Sequence, residues 1–67
     1  PLPSGRLPVA FAKAICALMD QKGWREDLAE QAARYLEQAQ AKSPRDSRVL
    51  SGRESYQRVA AKYGVAS

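Results

Sequence analysis

The residues in this sequence best suited to bind another molecule are the basic side chains of its second half. Residues 1–37 hold five basic and five acidic side chains, whereas residues 38–67 hold six basic and two acidic ones. The formal net charge of +4 therefore belongs entirely to residues 38–67. Clustered Lys and Arg side chains can neutralise the phosphates of a nucleic acid and release its counterions, which gives affinity without recognition of any base.

Five of these cations are predicted to contact nucleic-acid phosphates. Arg58 and Lys62 are four residues apart and share one face of a helix, and a helical turn would likewise place Arg45 and Arg48 together. The predicted phosphate-binding residues are Arg45, Arg48, Arg53, Arg58 and Lys62. Two alternatives stay open, because this charge also suffices to keep a small domain soluble and also suits an acidic protein partner. Glu54 lies four residues before Arg58 and is expected to compete for it.

Catalytic and metal-binding constellations are missing from the sequence. The chain has no histidine and one cysteine, Cys16. The common hydrolytic triads and zinc sites with Cys and His ligands are therefore excluded, and a single cysteine forms no internal disulfide. Neither of the glycine-rich patterns that hold nucleotide phosphates occurs. We expect a protein that is not an enzyme and uses no cofactor or metal.

The sequence also predicts the protein's compartment. Its longest nearly apolar stretch, residues 7–19, is interrupted by Lys13 and is too short to cross a bilayer. No small-residue cleavage site follows that stretch, and a lone thiol is typical of a reducing environment. We expect a cytoplasmic protein with no membrane partner.

The elements that position the cations are predicted to be helices. Three prolines fall within residues 1–8, which favours an extended lead-in or linker at 1–7 followed by a single helical domain at 8–67. Helix 1 is predicted at about 8–22. It has one apolar face with Phe11, Ile15 and Leu18 and a second with Ala12, Cys16 and Met19. An apolar pattern around most of a helix predicts that it is central and buried on several sides.

Two more helices complete a predicted all-α bundle of three helices. Helix 2, at about 25–42, has two acidic residues in its first turn and one continuous apolar stripe from Trp24 to Ala39. Helix 3, at about 52–63, follows the capping-box pattern of Ser51 and Glu54. Segment 44–50 is either a short helical turn or a loop that places Val49 and Leu50 in the core.

An interaction surface is the second functional hypothesis. Trp24 and Tyr56 are the candidate contact residues. Tryptophan is frequent among the residues that anchor interfaces, and an exposed Tyr56 ring would be able to stack on a base. Each also fits an apolar stripe, so burial in the core is the alternative. Helix 1 carries more apolar surface than two short helices can cover, which favours a homodimer or another protein partner.

The tail at residues 59–67 resembles the first half of a helix-turn-helix motif. Ala60, Gly64 and Val65 hold the positions of the closely packed alanine, the turn glycine and the apolar anchor of that motif. The resemblance implies DNA binding, with Ser67 as the cap of a following recognition helix. A helix that simply ends at a glycine would explain the same residues.

Overall fold

The protein is a bundle of three helices in the computed structural model, which describes residues 6–65. The helices are α1 (Arg6–Lys22), α2 (Glu26–Lys42) and α3 (Ser47–Lys62). Between residues 6 and 65 there is no strand, and all three pairs of helices are in contact. The predicted all-α fold is confirmed. Of the predicted lead-in at 1–7, residues 1–5 lie outside the described residues, as does Ser67, and residues 6 and 7 belong to α1.

α1 begins two residues before the predicted start. Pro8 is its third residue, where a missing N–H removes no helical hydrogen bond, so the proline does not have to be the first residue. The helix ends as predicted at Gly23, which has a φ of 111° and donates its N–H to the Met19 carbonyl at 2.8 Å. The positive φ explains why glycine stands at this position.

α1 buries only one of its two apolar faces. Ala12, Cys16 and Met19 are buried together with Val9, whereas Phe11 and Leu18 are 47% and 41% exposed. α1 is central, since it packs against both other helices, but the prediction of burial on several sides is wrong. Two partners cover one arc of a helix, and the face with the smaller side chains allows the closer approach.

The core consists of two small clusters. One joins Cys16, Met19, Ala29, Ala32 and Val59 across all three helices, and the other joins Val9, Ala39 and Val49. The stripe of α2 is confirmed, with Ala32, Leu36 and Ala39 buried. Because the α2 positions are mostly alanine, α1 can lie close to α2.

α3 begins at Ser47, five residues before the predicted start. Its N-cap is Asp46, whose Oδ1 accepts the Arg48 N–H at 2.8 Å, so Ser51 lies inside the helix and is not a cap. The longer helix buries Val49, which is 1% exposed, but leaves Leu50 48% exposed. The expectation that both side chains enter the core was therefore wrong for Leu50, because neighbouring residues of a helix point in different directions.

α3 ends in a glycine turn. Gly64 has a φ of 68°, and the N–H of Val65 reaches back to the Ala60 carbonyl at 2.8 Å. This is the Schellman arrangement, which satisfies carbonyls at a helix end. Tyr63 fixes this end against α1, since its hydroxyl donates to the Met19 carbonyl at 3.0 Å.

Candidate nucleic-acid interface

A groove between α1 and α3 has three cationic side chains in its walls. It has a volume of about 270 Å³. Its walls are Lys13, Cys16, Ala17 and Asp20 of α1 and Ser55, Arg58, Val59 and Lys62 of α3. We call this the α1–α3 groove. Three of these residues are cations and one is a carboxylate, so the groove carries a net positive charge.

Lys62 and Asp20 form an ion pair across the groove. Lys62 Nζ lies 2.5 Å from Asp20 Oδ1, and the two side chains are 55% and 52% exposed. The hydrogen bond and the negative charge of Asp20 raise the pKa of Lys62. The pair links α1 to α3, and it uses part of the charge that Lys62 would offer to a ligand. Because the pair is exposed, added salt weakens it.

Arg58 and Lys13 are the other two cations of the α1–α3 groove. Neither takes part in an ion pair among the described side chains, and the expected competition from Glu54 for Arg58 is not observed. Lys13 was missed by the sequence analysis. It is the single charge within the apolar run of α1, but only the packing of α1 on α3 brings it beside Arg58.

Arg53 lies on the opposite side of α3. It borders a second groove, between α3 and α2, which has a volume of about 380 Å³. Glu37 and Gln40 of α2 line that groove, together with Tyr56 and Gln57 of α3. The structure therefore does not bring Arg53 together with Arg58.

Arg45 and Arg48 would share a face only if the segment before α3 were helical, and residues 43–46 are not helical. Arg45 lies in the turn before α3, and Arg48 is the second residue of the helix. The Arg48 Nε donates to Asp46 Oδ1 at 3.3 Å, the same oxygen that caps the helix. Of the five predicted cations, then, only Arg58 and Lys62 lie in one groove.

Trp24 and Tyr56, the predicted interaction residues, are half-buried against the larger core cluster. Their ring centroids are 6.2 Å apart in an edge-on arrangement, and the Tyr63 ring centroid lies 6.3 Å from that of Trp24. Burial raises the pKa of Tyr56. These contacts favour the alternative that both rings serve the core.

Cys16 is a buried thiol at the base of the α1–α3 groove. Burial raises its pKa, which keeps the thiol protonated and unreactive near neutral pH. No group of three or more Cys, Asp or Glu residues that could hold a metal ion occurs in the described part of the chain. Within the same part, no helix is long and apolar enough to cross a membrane.

No family model matches the chain, and no curated protein or solved structure is significantly similar to it.

Proposed function

We propose that this protein is a small, non-enzymatic cytoplasmic domain that binds the phosphates of DNA or RNA through the α1–α3 groove. The observation that carries the proposal is the meeting of Lys13, Arg58 and Lys62 around a single carboxylate, Asp20. Two of those three cations have no ion pair among residues 7–65.

The side chains of the groove differ in what they offer a phosphate. Arg58 presents a planar guanidinium that can donate two parallel hydrogen bonds, whereas Lys13 acts as a point charge. Ser55 adds no donor, since its hydroxyl donates to the Ser51 carbonyl at 3.1 Å. Asp20 opposes an anion and holds Lys62. The set favours weak, salt-dependent binding that does not depend on base sequence.

The end of α3 supports DNA as the nucleic acid. Ala60 is 2% exposed and Gly64 has a φ of 68°, as the resemblance to a helix-turn-helix motif requires. Val65 is half-buried beside them. In that motif the first helix crosses the sugar-phosphate backbone. α3 would then bring Arg58 and Lys62 to phosphates, which agrees with binding that reads no base.

A matched pair of arginine variants tests the proposal. Arg58→Ala and Arg53→Ala remove the same charge from opposite sides of α3. Binding of a mixed-sequence DNA duplex is measured by fluorescence anisotropy across a salt series. Arg58→Ala is expected to reduce the slope of log affinity against log salt by about 0.9, the value for one lost phosphate contact, and Arg53→Ala to leave it nearly unchanged. Equal effects of the two variants would show that only net charge matters.

Asp20→Asn provides the opposite perturbation. It removes the one carboxylate of the groove and frees Lys62, so duplex affinity at low salt is expected to rise and the salt slope to steepen by up to about 0.9. Unchanged affinity would place the phosphates outside the α1–α3 groove. Polyglutamate as competitor distinguishes the acidic protein partner, because displacement of duplex at equal charge would favour that partner over nucleic acid.

A further inference from the structure

The outward side of α1 is an apolar face that the described residues leave largely exposed. Leu7, Phe11 and Leu18 are 63%, 47% and 41% exposed, and Ala14, also exposed, lies in line with them. We call these four residues the α1 outer face. Their spacing of four, three and four residues is that of the seam of a two-stranded coiled coil. A fully exposed large apolar side chain presents roughly 200 Å², so the three large residues expose roughly 300 Å² between them.

The α1 outer face is free of charge. Between Leu7 and Leu18 the only charged residue of α1 is Lys13, which lines the α1–α3 groove. The exposed Lys22 lies one helical turn beyond Leu18. The net positive charge of the chain lies in residues 38–67, which include all of α3. Two copies can therefore meet through their outer faces without opposing their cationic sides. A charged partner protein would find no complementary group on α1 between Leu7 and Leu18.

The order of large and small side chains matches an identical helix running in the opposite direction. In an antiparallel pair centred between residues 12 and 13, Leu7 lies opposite Leu18 of the second copy, and Phe11 lies opposite Ala14. Each phenyl ring then fills the space left by an alanine. In a parallel pair, two Phe11 rings would collide and two Ala14 side chains would leave a gap. Antiparallel helices also have favourable dipole alignment.

We propose that the α1 outer face binds a second copy of this chain in a symmetric antiparallel helix pair. The same patch serves both copies, as two-fold symmetry requires. Phe11 extends the contact towards α2, because its ring centroid lies 5.3 Å from that of Tyr35. The area is smaller than the roughly 800 Å² per partner of a standard interface. The dimer is therefore weak, and it forms only at high protein concentration. The proposal does not depend on phosphate binding.

Two leucines of similar exposure provide the matched variants. Leu18 on α1 is 41% exposed and Leu50 on α3 is 48% exposed. Sedimentation equilibrium over a concentration series is expected to show a monomer–dimer equilibrium for the natural chain and for Leu50→Lys, and a monomer throughout for Leu18→Lys. A natural chain that stays monomeric at all concentrations overturns the proposal, even if it binds lipid vesicles or another protein. Loss of the dimer in Leu50→Lys to the same extent also overturns it.

Cross-linking tests the direction of the pair independently. Leu7→Cys and Leu18→Cys are made separately in a Cys16→Ala background, mixed and oxidised. The antiparallel pair is expected to give mainly the mixed disulfide between the two variants. Disulfides mainly between like variants would show a parallel arrangement and refute the proposed pairing. Circular dichroism checks that each variant retains its helix content.

Discussion

Replacing Gly52 with alanine tests how closely α3 approaches the other two helices. A Cβ built at Gly52 would lie 2.9 Å from Leu36 Cδ2 and 3.2 Å from Val9 Cγ1, both tighter than ordinary van der Waals contact. Alanine gains about 1 kcal/mol over glycine in a helix interior. Overpacking of a core costs about 1–3 kcal/mol. Leu36 can move its terminal methyl, but the β-branched Val9 is stiff and 4% exposed.

The cost of overpacking is expected to exceed the gain in helix propensity. Gly52→Ala should therefore lower the free energy of unfolding by about 1 kcal/mol and Tm by about 4–8 °C in a domain of this size. Urea denaturation followed by circular dichroism measures the change. The double variant with Val9→Ala is the control, because removal of the valine methyls relieves one of the two contacts. Gly52→Ala should then cost less in the Val9→Ala background. A Gly52→Ala protein that is more stable than the natural chain by the full helix-propensity gain would refute the close approach.

Three further predictions concern the cap, the core and the thiol. Asp46→Ala should lose about 1 kcal/mol of unfolding free energy through the missing cap, whereas Ser51→Ala should lose none, as urea denaturation can show. Met19→Ala, at a side chain that is 0% exposed, should cost about 2–5 kcal/mol by the same assay, and Leu18→Ala much less. Burial raises the pKa of Cys16 above its usual 9.0, so the folded state retains the thiol proton that the unfolded state loses. The contribution of Cys16 to the free energy of unfolding is therefore constant below about pH 9 and decreases as the pH rises further. In a pH series of thermal melts, Cys16→Ala should show a smaller decrease in Tm above that pH.

The number of helices and the absence of strands among the described residues could be predicted because apolar residues recur regularly at helical intervals. α2 is the clearest case, with acidic residues at its start, one apolar stripe and a glycine before it. The structure places its start at Glu26 and its end at Lys42, within one residue of the prediction. The bounds of a helix can be predicted from local sequence where only one amphipathic pattern fits the segment.

The buried face of α1 was not predictable from spacing alone. Both faces of this helix have apolar residues at helical intervals, and the face with Phe11 and Leu18 carries the larger side chains. The structure buries the face with Ala12 and Cys16 instead. Small side chains let α1 approach the alanine-rich stripe of α2 closely. This close packing requires small side chains on both helices, so it cannot be predicted from the sequence of α1 alone.

The start of α3 was missed because three residues offered comparable caps. Ser43 and Ser51 each begin a recognised cap pattern, and Asp46 between them is an equally good N-cap residue. Packing decides among the three. A helix that starts after Asp46 buries Val49 and brings Gly52 against α1 and α2, which a start at residue 52 would not achieve.

The error in the predicted start of α3 also explains why the candidate site differs from the predicted one. Once the helix includes Arg48, ideal helical geometry places Arg48, Arg58 and Lys62 within an arc of about 80°, along about 21 Å of its axis. Arg53 lies about 140° from Arg58, which agrees with its position beside α2. Lys13 joins the same side only through the packing of α1. Which cations share a surface therefore depends on their angular positions around α3 and on the packing of α1 against α3. Neither can be obtained by counting charges along the chain.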